Sequence, residues 1–226
     1  MAQSSKPVQF VVWGMMVVTI VAILLAYVIK ERGHPRESAD GIELKNVGGG
    51  NQGRLPVLFE LPHFTLTNQF GEPFGQTNLL GRVWIADIIF TRCAGPCPEM
   101  TRRMSDLQAA LPAQMPVSLV TLTTDPLFDT PKVLHAYARR HGAQQGRWYF
   151  LTGTKQQIVD VAVHGLKLTA LDKEAEKQTD PNDLFIHSTI FVVVDKRGRA
   201  RAVLETDDPA LKVKALDVVR QLIDEE

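Results

Sequence analysis

The chain has 226 residues, of which 45% are hydrophobic, and its 25 Lys and Arg residues balance its 25 Asp and Glu residues. That length is sufficient for one self-supporting hydrophobic core with additional segments. The balanced charge argues against nucleic acid as a partner, because such proteins usually carry a basic surface that displaces counterions. The chain has two cysteines, which are too few for a disulfide framework.

The first distinctive segment is an uncharged apolar run from Val8 to Ile29. As a helix, a run of this length spans the hydrocarbon core of a bilayer, which is about 30 Å thick. It is longer than the roughly 7–15 apolar residues of a cleaved signal peptide, and no small-residue cleavage site follows it. We therefore interpret residues 1–7 as a short tail and residues 8–29 as an uncleaved transmembrane anchor.

Residues 30–54 are polar and include the glycine-rich stretch "NVGGGNQG", which predicts a flexible tether. The globular domain is expected over residues 55–226. The distribution of charge alone does not determine on which side of the membrane this domain lies. Lys6 precedes the apolar run whereas Lys30, Arg32 and Arg36 follow it, so a count of basic residues favours a cytoplasmic domain. However, that rule is weak for a single helix followed by a long domain.

The strands of the domain are predicted from alternating or continuous apolar runs. "HFTLT" before a "GEP" turn predicts the first arm of a hairpin. The run "VWIADIIF" at Val83–Phe90 predicts a buried central strand. Further strands are predicted at "VSLVTL", "WYFLT", "STIFVVVD" and "RARAVLE", the last two forming a hairpin around "KRG".

Helices are predicted between these strands. One begins between Pro96 and Pro98 and carries methionines and leucines on one face. Thr130 followed by Pro131 starts the next, Thr154 starts a third as part of a capping box, and "PALKVKALDVVRQLI" closes the domain. Strands that alternate with helices indicate an α/β fold with helices on both faces of the sheet.

Both cysteines lie in the segment "IFTRCAGPCPEMTRRM". Cys93 directly follows the buried strand, and Cys97 stands at the start of a helix whose first turn accommodates Pro98. Because the amino end of a helix favours negative charge, we expect a lowered cysteine pKa there. Arg92 and the pair Arg102–Arg103 could strengthen this effect.

Several kinds of site fit a C-x3-C pair. A structural disulfide is disfavoured, because closing so small a loop removes little chain entropy. Zinc is disfavoured, since a structural zinc site needs four Cys or His ligands. A redox dithiol and a soft-metal site remain. Two thiolates suit Cu(I), and an added imidazole would also accommodate Cu(II). The spacing alone does not separate them.

His187 is the histidine most suggestive of a role in the site. It ends the polar stretch "DKEAEKQTDPNDLFIH" and immediately precedes the apolar strand "STIFVVVD". Loops that flank strands commonly build the sites of open α/β sheets. The alternative is an ordinary histidine at the edge of the core, with its ring nitrogens satisfied locally.

Four segments together resemble the Sco/SenC family of membrane-anchored, thioredoxin-like copper proteins. "FTRCAGPCP" is similar to that family's FxxxCxxxCP segment, and "TTDPLFDTPKVLHAYARRH" to its VDPxxDTPxxLxxYA segment. "WYFLTG" resembles its WxxLTG, and "FIHSTIFVVVDKRGR" its segment around the distal histidine. The four segments occur in the family's order and extend from about Leu61 to the end of the chain.

The resemblance implies a thioredoxin-like fold, with a central mixed sheet flanked by helices, and copper held by Cys93, Cys97 and His187. It also implies an inner-membrane protein whose C-terminal domain faces the periplasm. The implied role is a metallochaperone that delivers copper to, or matures, the binuclear copper centre of cytochrome c oxidase. The alternative is a thiol–disulfide oxidoreductase that uses Cys93 and Cys97 to keep client cysteines reduced, so whether the protein is an enzyme stays open.

Asp125 and Asp129 lie in the second segment, where we expect them to shape a turn and cap a helix. They could also support the ligands, as could Arg92, whose charge would favour thiolates but repel a bound cation.

Overall fold

A computed structural model describes residues 54–168, 170–172, 185–187 and 189–225, without the side chains of 170–172 and 185–187. The predicted anchor at residues 8–29 and nearly all of the tether lie outside these residues. Within the described ranges, no helix is long and apolar enough to cross a membrane.

The strands and helices follow one another in the alternating order that the sequence predicts. The strands are β1 (Phe59–Glu60), β2 (Thr65–Asn68), β3 (Pro73–Gly75), β4 (Val83–Ile89), β5 (Val117–Thr123), β6 (Trp148–Thr152), β7 (Ala170–Asp172), β8 (Phe185–His187), β9 (Ile190–Val194) and β10 (Arg199–Glu205). The helices are α1 (Gln76–Leu79), α2 (Cys97–Ala110), α3 (Pro131–Arg140), α4 (Lys155–Val159), a π-helix (Asp160–Gly165) and α5 (Leu211–Asp224).

Eight strands form one mixed sheet in the order β1-β10-β9-β4-β5-β6-β2-β3. The central strands β4, β5 and β6 are parallel, and β9 pairs with β4 in the antiparallel direction. All seven residues of β4 and of β5 are buried, which fits strands covered on both faces. The predicted hairpins β2–β3 and β9–β10 are confirmed.

A separate hydrophobic core lies on each face of the sheet. One core contains the apolar faces of α2, α3 and α5, with Met100, Met104, Leu134 and Val219 among its buried members. The other lies beneath α4 and the π-helix and includes Ile158. Helices on both faces of a mixed sheet confirm the predicted α/β architecture.

The predicted starts of the helices are confirmed by their contacts. Pro96 is the N-cap of α2, and Pro98 lies in its first turn. The Thr130 hydroxyl accepts a hydrogen bond from the N–H of Val133 in α3, and Thr154 and Gln157 form the reciprocal capping box of α4. The π-helix and the strand pair β7–β8 were not predicted. The sequence before His187 predicts only a polar loop, because short strand pairs such as β7–β8 leave little hydrophobic periodicity.

Candidate metal and redox site

The candidate site lies at the edge of the sheet where the parallel strands end. β4 leads into the cysteine loop, and β5 leads into the segment that holds Asp125 and Asp129. Since β9 runs antiparallel to β4, with Ala86 opposite Val192, the first residues of β9 lie beside the last residues of β4. β8 ends at His187, three residues before the start of β9 at Ile190. Loops at the carboxyl ends of strands are the usual place for ligands in such sheets.

Cys93 and Cys97 are both present as thiols, and they differ sharply in exposure. Cys93 is half-buried, whereas Cys97 has 0% of its surface exposed and belongs to the hydrophobic core. The backbone N–H of Gly95 donates to the Sγ atom of Cys93 over 3.3 Å, and the N–H of Cys93 donates to the Phe90 carbonyl over 3.2 Å. Cys93 therefore has solvent access, and the backbone helps to stabilise negative charge on its sulfur.

The two thiols interact directly, and this reverses one prediction. A hydrogen bond with Cys93, burial, and the charge of Cys93 together raise the pKa of Cys97 strongly above its ordinary value. The prediction that the start of the helix lowers the cysteine pKa is therefore wrong for Cys97. The physical reason is that a negative charge on Cys97 would lie in a buried position beside the charge of Cys93. The resulting loss of hydration and the repulsion outweigh the favourable effect of the helix dipole. Cys97 is therefore the sulfur that is harder to ionise.

The cations of α2 do not support the thiolates in the way predicted. Arg102 binds the Glu99 carboxylate over 2.7 Å and the Asp106 carboxylate over 2.6 Å, and Arg103 binds Glu99 over 2.8 Å. Hydrogen bonds from Arg102 and Arg103 lower the pKa of Glu99 to about 2. Both arginines are thus engaged with carboxylates on the surface of their own helix.

Asp129 supports the loop before Cys93 instead of capping a helix. Its buried carboxylate accepts hydrogen bonds from the N–H of Thr91 over 3.0 Å and from the hydroxyls of Thr91 and Thr123. Burial nevertheless raises its pKa, because these hydrogen bonds only partly offset the loss of water. The expected capping role belongs to Thr130, and Asp129 ties the end of β5 to the turn that follows β4.

Arg92 is directed toward Asp125 and Phe128. Its Nη2 atom lies 2.5 Å from Oδ2 of Asp125, and its guanidinium carbon lies 4.2 Å from the centre of the Phe128 ring. The predicted cation next to the thiolates is therefore largely neutralised by a carboxylate. Asp125 and Asp129 together hold Arg92 and Thr91, the two residues directly before Cys93, which makes both aspartates positioning residues.

Three further groups near the thiols were not predicted from the sequence. The Thr101 hydroxyl donates to the Cys97 carbonyl and also contacts the Tyr137 hydroxyl, each over 2.9 Å. Burial, together with the charges of the cysteines and Asp87, raises the pKa of Tyr137 to about 12. Asp87 is fully buried in β4, and its charge also raises the pKa of Cys97. Of these three groups, only Asp87 is suggested by the sequence, because a carboxylate inside the apolar run "VWIADIIF" is unusual. Thr101 and Tyr137 are distant in sequence and come into contact only in the folded protein.

The proposed third ligand is described only by its backbone. His187 is paired with Ala170 in the β7–β8 ribbon, and its imidazole lies outside the described residues. Among the side chains that the structure describes, no three His, Cys, Asp or Glu groups converge as a metal site. The two thiols are soft donors in direct contact, an arrangement suited to Cu(I) or to disulfide chemistry.

The fold and the pair of thiols at the end of its central strand define a thioredoxin-like α/β protein, and comparison with known proteins specifies its family. The sequence model of SCO1/SenC matches residues 58–223. The SCO1 protein homolog of Bacillus subtilis (strain 168) is 36% identical over 153 residues, covering 67% of this chain and 76% of the relative. The chain belongs to the SCO1/SenC family.

Solved structures support the same assignment. BsSco, described as a member of the Sco family of cytochrome c oxidase assembly proteins with a disulfide switch, is 28% identical with a TM-score of 0.66. That match covers 77% of this chain and 100% of BsSco. Yeast Sco1 with copper bound is 21% identical with a TM-score of 0.62, covering 74% of this chain and 92% of the yeast chain. The yeast likeness establishes the shared fold.

Proposed function

We propose that this protein is a copper-binding metallochaperone that delivers copper to, or matures, the binuclear copper centre of cytochrome c oxidase. The observation that carries the proposal is the contact between the Cys93 and Cys97 thiols at the carboxyl end of the central strand. Membership of the SCO1/SenC family and the likeness to BsSco support the role in oxidase assembly.

Copper would be held by Cys93, Cys97 and His187. The two sulfurs suit Cu(I), and the imidazole adds a nitrogen that also suits Cu(II). Three protein ligands leave a coordination position that a client ligand can occupy during transfer. The half-buried position of Cys93 supports such a transfer, because Cys93 is the more exposed of the two sulfurs and is the one that a client can reach.

The decisive experiment is an anaerobic copper titration of the reduced full-length chain, comparing the wild type with His187→Ala. We expect the wild type to bind equimolar Cu(II) and His187→Ala to lose stable Cu(II) binding while it keeps its fold. His63→Ala is the matched control, because His63 is an exposed histidine on the loop before β2. Unchanged stoichiometry and absorption spectrum in His187→Ala would contradict the three-ligand site.

A second function, thiol–disulfide exchange with client cysteines, is favoured by the difference in exposure between the two thiols. The Cys93 sulfur would attack one sulfur of a client disulfide and release the other as a thiolate. Cys97 would then displace the client from the mixed disulfide, so that the client leaves reduced and the protein leaves oxidised. Reduction of a client disulfide should survive His187→Ala but not Cys93→Ser. Failure of the reduced wild type to exchange with a peptide disulfide would remove this function.

We place the protein in the inner membrane, with residues 8–29 as a single span and the C-terminal domain in the periplasm. The apolar run supports the span. The proposed role in oxidase assembly supports the orientation, since an assembly factor must reach the same side of the membrane as its client.

A further inference from the structure

A groove of about 590 Å³ lies between the start of the cysteine loop and α3. One wall is formed by Thr91 and Arg92, and the turn after β5 contributes Phe128. The opposite wall is the exposed side of α3, including Val133 and Ala136. Thr91 and Arg92 directly precede Cys93, and the Cα atoms of Arg92 and Cys93 are about 3.8 Å apart, so an occupant of the groove lies near the cysteine loop.

The charges around the groove have one sign. Its charged lining residues are Arg92, Lys132 and Arg140, with no carboxylate among them. Arg92 is paired with Asp125, whereas Lys132 and Arg140 are exposed and form no ion pair within the described part of the chain. The groove therefore presents two uncompensated cations eight residues apart on one helix.

The groove is also bordered by large apolar side chains that face solvent. Leu127 is 91% exposed and Phe128 is 43% exposed, although both lie on a turn that is anchored by buried aspartates on either side. Tyr137 forms part of the groove and contacts Thr101, whose hydroxyl binds the Cys97 carbonyl. An occupant would thus contact groups that are hydrogen-bonded to the loop and helix carrying both thiols.

We propose that this groove binds an acidic segment of the client protein that also carries apolar side chains. Carboxylates of the segment would pair with Lys132 and Arg140, and its apolar side chains would cover Leu127, Phe128 and Val133. The segment would hold the client's own cysteines or copper ligands within reach of Cys93. This inference rests on the proposed function, because transfer of copper or electrons requires a docked partner.

The experiment uses the full-length chain in mild detergent and a fluorescein-labelled synthetic peptide that alternates glutamate with leucine and phenylalanine. A peptide with glutamine in place of glutamate is the uncharged control. We expect fluorescence anisotropy to show about tenfold weaker binding of the glutamate peptide to Lys132→Glu/Arg140→Glu than to the wild type. High salt should weaken binding of the glutamate peptide to the wild type as well.

The matched variant is Lys212→Glu/Arg220→Glu, which reverses an exposed lysine and arginine with the same spacing on α5. It should bind the glutamate peptide as the wild type does. Ala136→Trp fills the groove without changing charge and should weaken binding by a similar factor to Lys132→Glu/Arg140→Glu. Equal binding of the two peptides, equal loss in the α5 variant, or full binding by Ala136→Trp would each overturn the proposal.

Copper titration of the same variants separates this proposal from the proposed function. Lys132→Glu/Arg140→Glu should bind copper as the wild type does, because neither residue is a ligand. If the wild type failed to bind copper but still discriminated between the peptides at the groove, the docking surface would stand while the copper function failed.

Discussion

At the residue scale, the reactivity of the site is decided by which neighbours each group contacts. Cys97 begins a helix, yet its pKa is raised, because Cys93 lies against it and burial removes water. Arg92 is adjacent to Cys93 in the chain, yet its guanidinium binds Asp125. Sequence proximity predicts the local backbone well, whereas the direction of a long side chain depends on partners from other segments.

Asp129→Ala should destabilise the reduced protein by about 2–3 kcal/mol, because it leaves the Thr91 N–H and two threonine hydroxyls without their acceptor. Urea unfolding measures this loss. Asp106→Ala is the control, since Asp106 is half-exposed in a surface ion pair with Arg102, and should cost less than about 1 kcal/mol. Equal effects of the two variants would contradict a positioning role for Asp129.

The raised pKa of Asp129 also predicts a pH dependence. A carboxyl whose folded pKa exceeds its unfolded value binds more protons when folded, so its contribution is complete below the unfolded pKa. That contribution is lost as the pH rises through the folded pKa. Unfolding free energies measured on the acid side of neutrality should therefore decline less with rising pH in Asp129→Asn than in the wild type. A slope that is identical in both would contradict the assignment.

At the scale of elements, one buried cation joins both ends of the described domain. Arg201 in β10 has 1% of its side chain exposed and contacts Asp195 over 2.9 Å and Glu225 over 2.8 Å. It also donates to the carbonyls of Leu55 and Pro56. The segment that follows the tether and the end of the chain after α5 are therefore held against the same hairpin.

Arg201→Met should destabilise the domain by about 3–5 kcal/mol, since it leaves Asp195, Glu225 and two carbonyls without a shared donor in a buried position. Denaturant unfolding of the full-length chain in detergent provides the measurement. Arg199→Met is the matched control: it removes another partner of Asp195 but from a more exposed site, and should cost about 1 kcal/mol or less. A small effect of Arg201→Met would show that the buried contacts contribute little.

At the scale of the whole molecule, the proposed anchor at residues 8–29 lies outside the part of the chain that the structure describes. The domain described from residue 54 onward has its own two hydrophobic cores, and the apolar run precedes it in the sequence. After alkaline extraction of membranes, the full-length chain should remain in the pellet, whereas a variant lacking residues 8–29 should be in the supernatant. Recovery of the full-length chain in the supernatant would contradict a transmembrane anchor.

The sequence by itself determined the alternation of strands and helices, the buried central strand, the helix caps and the position of the cysteine pair. These features depend on neighbours within a few residues, such as Pro96 and Pro98 or the Thr154–Gln157 box, and the chain carries them as local patterns. Only the tertiary structure decided that Asp125 and Asp129 hold the residues before Cys93, that Tyr137 reaches the helix of Cys97, and that Cys97 is hard to ionise. Each of these depends on segments roughly 30–40 residues apart meeting at one edge of the sheet, or on water being excluded there, and neither leaves a local pattern in the sequence.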